Sequence, residues 1–400
     1  MSDSLPFSIL NFEGAMNTLR VLYPVLMLFM LSLPALSYLV PLHKSIKLAG
    51  EVSNLEPVTL SLDTIMSGSY QSYLEERFKK NAPLWHMLVR TDHEISLQLF
   101  GEISHDRSST LALGGNDTLF ERSYINSYNR IREVPEDILI SRVRELQELQ
   151  QRLQALGKKM VVIISPAKTT LYPELIPERA LVPNREHRRD LLSSARELLH
   201  THGITTVDGS ALFTAAQSES PHKLFAKGGT HWTQYGACLV LEELYRTLDA
   251  ELKCTVTGVR EGPGPSDKDI AKLANVWSIK RFVEPSSPKV AMQIIKPPSQ
   301  KTLFLEGTSF SWQLRRLINE NDAFNLVDFY YYSSRQFLNR ERKGKVIPPH
   351  LFEWNALIDA RDLYVFEINE SVIDDVGHAS LSQLLAVMRI RVPYIAHQMP

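Results

Sequence analysis

Two successive helix, glycine, strand steps limit this chain to a small set of folds. Leu139, Val143, Leu146, Leu149, Leu153 and Leu156 recur every three or four residues, which lays one apolar stripe along a helix, and Gly157 follows where a left-handed cap would close it. Met160–Ile164 then runs apolar and mostly β-branched without interruption, the pattern of a strand buried on both faces. The step recurs as Arg189–His202, Gly203 and Ile204–Val207. Strands of this kind need helices on both sides, so the pattern predicts an α/β fold with a central, mostly parallel sheet. Thr302–Leu305 and Leu363–Ile368 are two more candidate strands, each ahead of a possible helix. Short apolar runs flanking Gly114-Gly115-Asn116-Asp117 read as a strand and a tight turn, which starts this domain near residue 109 and extends it over 109–400. The Gly262–Ser266 and Pro285–Pro298 stretches read as surface connections.

The N-terminal part follows different rules. Between Arg20 and His43 the chain reads VLYPVLMLFMLSLPALSYLVPL without one charge, long enough for a hydrocarbon core that takes roughly 20 apolar residues. Pro24 and Pro34 would interrupt a soluble helix but are tolerated in a membrane. We therefore expect a cytoplasmic tail over 1–19, a transmembrane signal-anchor over 20–42, and the body outside the cytoplasm, anchored in the inner membrane of a bacterium and facing the periplasm. Small residues at Pro34-Ala35-Leu36-Ser37 keep signal cleavage and release to the periplasm as the alternative. Over 43–108 a membrane-proximal helical stalk is expected, with Pro83 opening its second helix.

Charge and cysteine usage narrow the partners. Lysine and arginine total 44 against 45 acidic residues, so no field holds a polyanion along the whole surface, and nucleic acid is not expected as a partner. Two cysteines, Cys238 and Cys254, are too few for a disulfide scaffold, and their pairing is left open. The twelve histidines form no ligand set with metal spacing, so neither a metal nor another cofactor is expected.

Ligands of open parallel sheets collect beyond the carboxyl ends of the strands, which directs the search for chemistry to the residues following each one. After Thr302–Leu305 come Glu306-Gly307-Thr308-Ser309-Phe310-Ser311 and then a helix. Ser309 there is the candidate nucleophile, close to helix N–H groups that can hold an oxyanion. Taken alone, a serine in that place more often caps the helix. Gly228-Gly229-Thr230-His231-Trp232-Thr233 precedes a second helix, and His231 is the candidate general base. Lys168, Tyr172 and Asn369 follow other strands and are candidate substrate contacts, although a solvated lysine and a core tyrosine are the plainer readings.

Taken in order, these blocks resemble the alginate O-acetyltransferase family, SGNH-hydrolase-like proteins that acetylate exported bacterial polysaccharide. YLEERFKKNAPLWHMLVR, LALGGNDTLFERSYI, VVIISPAKTTLYPELIPE, GGTHWTQYGA, DKDIAKL, FLEGTSFSW and YVFEINES carry the resemblance. It implies a three-layer, flavodoxin-like fold and a serine acyl-enzyme on Ser309. It also implies a polysaccharide acceptor and, as acetyl donor, a multi-spanning membrane O-acyltransferase. Two positions depart from the family pattern: Gly229 stands where an aspartate precedes the histidine by two residues, and Ser371 where an arginine is usual. A lost carboxylate behind the imidazole costs turnover dearly, so Asp208, Glu306 and Glu367, all near strand ends, are the expected surrogates. The alternatives are a carbohydrate acetylesterase with the same serine and histidine, and a non-catalytic polysaccharide-binding scaffold that has lost its triad.

Overall fold

In the computed structural model, which describes residues 20–32, 48–50, 56–81, 83–104, 110–220 and 222–393, Leu111–Leu113 (β1) and Leu119–Glu121 (β2) pair antiparallel around the expected turn. Asn116 and Asp117 take φ of 54° and 57° there, a conformation their short polar side chains tolerate. Helix α1 (Glu136–Ala155) follows. Gly157, at φ 71°, lets Lys158 N–H reach back to the Leu153 carbonyl and turns the chain into β3 (Lys159–Ser165). The step repeats through α2 (Leu191–Thr201), Gly203 at φ 62° and β4 (Thr206–Asp208). Asp190 opens α2 by accepting from Ser193 N–H, so the helix starts two residues later than its periodicity suggests.

Helix α3 (Gln234–Thr247) leads into β5 (Glu251–Glu261), which pairs antiparallel with β6 (Ser286–Lys296) in a long two-stranded ribbon. Ser286–Lys296 corrects the reading of Pro285–Pro298 as a surface connection. Its apolar residues fall in two short runs, Val290–Met292 and Ile294–Ile295, none of them fully buried, and Pro288 disguises it as loop. The remaining elements are β7 (Thr302–Gly307), α4 (Ser311–Glu320), β8 (Leu326–Tyr331), β9 (Arg335–Leu338), β10 (Lys345–Val346), β11 (Leu363–Asn369) and α5 (His378–Arg391).

Seven strands form the main sheet in the order β10-β9-β8-β7-β11-β3-β4. β8, β7, β11, β3 and β4 run parallel, and at one edge β9 runs against them, pairing antiparallel with both β8 and β10. Alternate residues of each strand go to opposite cores. Val161, Ile163, Leu303, Leu305 and Val365 pack with Leu241 of α3 and Leu314 of α4. Met160, Val162, Ile164, Phe304 and Phe366 meet Leu146, Leu149 and Leu153 of α1 and Leu384 of α5. Each fully buried leucine or isoleucine contributes about 1.5–3 kcal/mol, so burial stabilises both faces of the sheet. This sheet between two helical layers is the predicted α/β architecture.

Cys238 on α3 and Cys254 on β5 form a disulfide across 16 positions, which answers the question left by the sequence. A loop of that size restrains the unfolded chain by about 3 kcal/mol in the chain-entropy account.

By its contacts the chain divides into a unit of Met1–Phe100 with Asn275–Trp277 and a unit of Gly101–Ala274 with Ser278–Pro400. The first contains helices Leu62–Met66, Ser69–Asn81 and Pro83–Phe100, with Pro83 opening the last of them. Residues 20–32 are helical with exposed side chains. The predicted tail and residues 33–42 of the predicted anchor lie outside the described residues, and among the described residues no helix is long and apolar enough to cross a membrane.

Candidate active site

β7 and β11 lie side by side, and their carboxyl ends build the first half of the site. Glu367 of β11 accepts from Thr308 N–H at 2.8 Å, from Thr308 Oγ1, from Ser311 Oγ at 2.7 Å and from Ser165 Oγ at 2.5 Å. A fully buried carboxylate so surrounded fixes the turn between β7 and α4. The turn leaves no room at Gly307, where a Cβ would overlap Ser311 Oγ and lie 2.7 Å from Glu367 Oε2. Ser309 is thereby held half-exposed at the sheet rim, two residues ahead of α4. Of the neighbouring amides, Thr308 N–H is taken by Glu367 and Phe310 N–H by Thr308 Oγ1.

His231 reaches this hydroxyl from the loop before α3. Its Nε2 lies 2.7 Å from Ser309 Oγ, hydrogen-bond distance across 78 residues of sequence. Phe310 packs edge-on against the imidazole at 4.8 Å and against Trp232 at 5.3 Å, so the ring is set by aromatic contacts as well as by its polar partners.

The other ring nitrogen, Nδ1, is hydrogen-bonded to Asp269 Oδ2, a residue that the sequence reading did not propose. Asp269 comes from the long connection between β5 and β6 and opens the short helix Asp269–Leu273. Its other oxygen accepts from Thr230 N–H at 2.8 Å and from Ile270 N–H at 2.7 Å, which fixes the carboxylate before the imidazole. The same connection explains Gly229. A Cβ there would overlap the Ser266 carbonyl and lie 3.2 Å from Asp267 Cα, so the loop that delivers Asp269 occupies the space a side chain at 229 would need. The signal in the sequence is the second aspartate of DKDIAKL, a block that carries the family resemblance.

The three expected surrogates are engaged elsewhere. Asp208 caps the helix after β4 and pairs with Arg196 at 2.6 Å. Glu367 supports the serine turn. Glu306 points to the opposite side of the sheet, fully buried, bonded to Ser333 Oγ at 3.0 Å. Strand alternation separates Glu306 from Gly307 and the site, which closeness in sequence conceals. The candidate substrate contacts are engaged within the protein. Lys168 is buried, and its ammonium donates to the carbonyls of Leu119, Ala226 and Lys227, tying the β2 hairpin to the histidine loop. Tyr172 packs against the core. Asn369 bonds the carbonyls of Ser165 and Pro166 and caps Ser371 N–H.

Burial pushes the Glu121 carboxyl up, against a hydrogen bond from Thr230 and the field of His231. Burial also pulls the Lys168 ammonium down to about 7, whereas its three carbonyl acceptors match the three hydrogens of the charged form. Tyr124 is held protonated by burial and by the fields of Glu121, Glu367 and Asp269. Burial raises Glu306 to about 7. A carboxyl raised on folding favours its neutral form in the native state. Stability is therefore expected to fall as pH rises from 4.5 through about 7 and to level off above. Denaturant melts across that range should show this slope, and Glu306→Gln should flatten it; an unchanged slope would remove Glu306 from the account.

Serine, imidazole and carboxylate in this order can deprotonate a hydroxyl and return the proton to a leaving group. Residues 112–345 match the family described as SGNH hydrolase-like domain, acetyltransferase AlgX. A probable alginate O-acetylase AlgJ of Azotobacter vinelandii is 24% identical over 319 residues, covering 72% of this chain and 78% of that protein. A second, of Pseudomonas syringae pv. tomato, is 25% identical over 181 residues, covering 45% and 43%. Among solved structures, the O-acetyltransferase domain of Pseudomonas putida AlgJ is similar with a TM-score of 0.47 at 16% identity, over 69% of this chain and 99% of that domain.

Proposed function

The chain belongs to the SGNH hydrolase-like acetyltransferase family of AlgX, and from that premise we propose that it transfers acetyl groups through Ser309 to hydroxyls of an exported polysaccharide resembling alginate. The observation that carries this reading is the 2.7 Å contact between His231 Nε2 and Ser309 Oγ, with Asp269 on Nδ1. His231 takes the Ser309 proton as Oγ adds to the acyl carbon of the donor. The tetrahedral intermediate collapses to acetyl-Ser309, and the imidazolium gives its proton to the leaving group. A sugar hydroxyl then adds to the acetyl-enzyme, losing its proton to His231, and Ser309 leaves with that proton restored. Asp269 keeps Nδ1–H oriented and stabilises the imidazolium. The Ser309 N–H is the donor we assign to the oxyanion, since the Thr308 and Phe310 amides are occupied.

The donor is, in this reading, a multi-spanning membrane O-acyltransferase. The carbohydrate acetylesterase differs only in using water as acceptor. The scaffold alternative rested on Gly229 and loses that support, because Asp269 stands behind the imidazole. Incubating the chain with an activated acetyl ester and a uronate oligosaccharide tests the proposal. Acetyl-Ser309 and acetylated sugar by mass spectrometry are expected; acetate without acetylated sugar would move the assignment to the esterase.

We place the anchor at 20–42, the stalk at 43–108 and the catalytic domain at 109–400, with the body in the periplasm. The Cys238–Cys254 disulfide supports this location, since such bonds persist in oxidising compartments. The chain is expected to sediment with membranes, and its cysteines to take a thiol label only after reduction. Two freely labelled thiols on a chain in the soluble cytoplasmic fraction would refute this placement.

A further inference from the structure

Behind the serine turn, on the opposite face of the sheet, lies a second set of titratable groups that the acyl-transfer steps do not use. Glu306, fully buried and next to last in β7, accepts from Ser333 Oγ at 3.0 Å, and that hydroxyl in turn accepts from Ser380 N–H of α5 at 3.1 Å. The other carboxylate oxygen of Glu306, Oε2, is enclosed without a hydrogen-bond partner. His378, the first residue of α5, is bonded through Nδ1 to Asp375 at 2.8 Å, and its Nε2 is likewise enclosed without a partner. Each of the two acts on the charge of the other. A buried carboxylate and a buried imidazole are costly apart and compensate one another when the imidazole carries the proton.

The backbone is strained where this cluster holds it. Tyr332, Ser333 and His378 take φ of 46°, 46° and 42°, left-handed values that disfavour residues with a side chain. Such conformations persist only where the surroundings over-determine them, and they collect at active sites and switches. Tyr332 N–H donates to the Gly307 carbonyl at 3.0 Å, and its ring lies 5.3 Å from that of His378. Glu306 and Gly307, neighbours on β7, therefore grip the same turn, one through Ser333 and one through Tyr332. Gly307 is also the residue from which the Ser309 turn departs.

Few charged groups face the pair. Glu367 of β11 and Asp375 act on both members, and Tyr330 of β8 lies in the field of Glu306. Arg142 of α1 is 3.7 Å from Asp375 and donates to the His378 carbonyl, while Arg132 is held by both oxygens of Asp374. Among the charged groups acting on Glu306, His378 is the cation. Burial lowers the His378 imidazolium, but the Asp375 bond and the fields of Glu306 and Glu367 outweigh it and hold the proton past the ordinary histidine range.

We propose that Glu306 and His378 act as one proton-holding latch that clamps the Tyr332–Ser333 turn against Gly307 and so positions Ser309, and that loss of their proton to solvent releases the clamp. The assignment rests on Ser309 as the nucleophile and adds to it a positioning pair that ties its placement to pH. Deprotonation leaves Glu306 and Glu367 as buried anions with no imidazolium beside them, and Glu306 relieves that cost by moving toward water, where Ser333 cannot follow. The latch is closed in acid and neutral solution and opens on the alkaline side.

Hydrogen exchange of the full chain, read by mass spectrometry with no acyl donor present, tests this. Slow exchange at the C2–H of each imidazole reports the protonation of that histidine. The His378 midpoint should lie above 6.5 and fall by about one pH unit in Glu306→Gln. Amides of the serine turn and of the Tyr332–Ser333 turn, corrected for intrinsic rate, should lose protection about tenfold between roughly pH 6.5 and 9. Glu306→Gln should keep that protection, because its side-chain carbonyl still accepts from Ser333. Ser333→Ala should lose it at every pH with the His378 midpoint nearly unchanged, which separates the clamp from the titration. Turnover of an activated acetyl ester should follow, kcat falling about tenfold on the alkaline side with KM little changed, and Glu306→Gln should lack that fall. A His378 midpoint indifferent to Glu306→Gln, equal protection of the turns at both pH values, or an alkaline loss of kcat retained in Glu306→Gln would each overturn the proposal. Absence of acetyl-Ser309 would sink the acetyltransferase reading instead, and the exchange measurements would still decide the latch.

Discussion

Ser309→Ala should abolish acetyl transfer, with turnover falling by a factor on the order of 10⁵–10⁶ and no acetyl adduct at position 309. The fold should survive, because Ser309 Oγ is bonded to His231 while the turn itself is held by Thr308, Ser311 and Glu367. His231→Ala should cost about as much. The double variant should be no worse than either single one, since a hydroxyl without its base and a base without its hydroxyl are equally idle. Losses that multiplied in the double variant would mean that the two side chains act independently, and the shared proton path would be wrong. Normal transfer by Ser309→Ala would end the acyl-enzyme account altogether.

Asp269→Asn is expected to lower turnover about 10³–10⁴-fold while leaving the melting temperature nearly unchanged. The amide can still accept from Thr230 and Ile270 N–H through its oxygen, but it no longer compensates a cationic imidazole. Asp208→Asn should leave turnover within a few-fold, because Asp208 serves a helix cap and Arg196. Returning a carboxylate to position 229 should not rescue Asp269→Asn. Gly229→Asp forces its Cβ onto the Ser266 carbonyl and displaces the connection between β5 and β6. Steady-state kinetics of these variants decide the matter. If Asp269→Asn retains full turnover, or if Gly229→Asp restores it, the carboxylate behind His231 has been misassigned.

The fate of Gly229 shows how far a chain can be read from its own residues. The sequence reveals that the expected aspartate is absent, and chemistry demands a substitute. It then directs attention to Asp208, Glu306 and Glu367 because they end strands. Those three positions obey local rules: one caps a helix, one faces the opposite core, one braces the serine turn. Asp269 sits instead in a connection flanked by Gly262, Gly264 and two prolines, with no periodicity to give its direction. Only the packing of that connection on Gly229 brings it to the imidazole. Likewise, β6 was hidden because a two-stranded ribbon needs no continuous apolar run, and Lys168 proved to be a tie between loops.

Local chemistry in the chain was enough for the helix, glycine, strand rhythm, the burial of both sheet faces and the nomination of Ser309 and His231 as candidates, because backbone periodicity, left-handed glycine caps and strand ends act over a few residues. Which acid faces the histidine and that Cys238 meets Cys254 were decided by tertiary structure alone. Those relations join residues 16 and 38 positions apart on separate elements, and a charge or thiol takes its meaning from whatever is packed beside it.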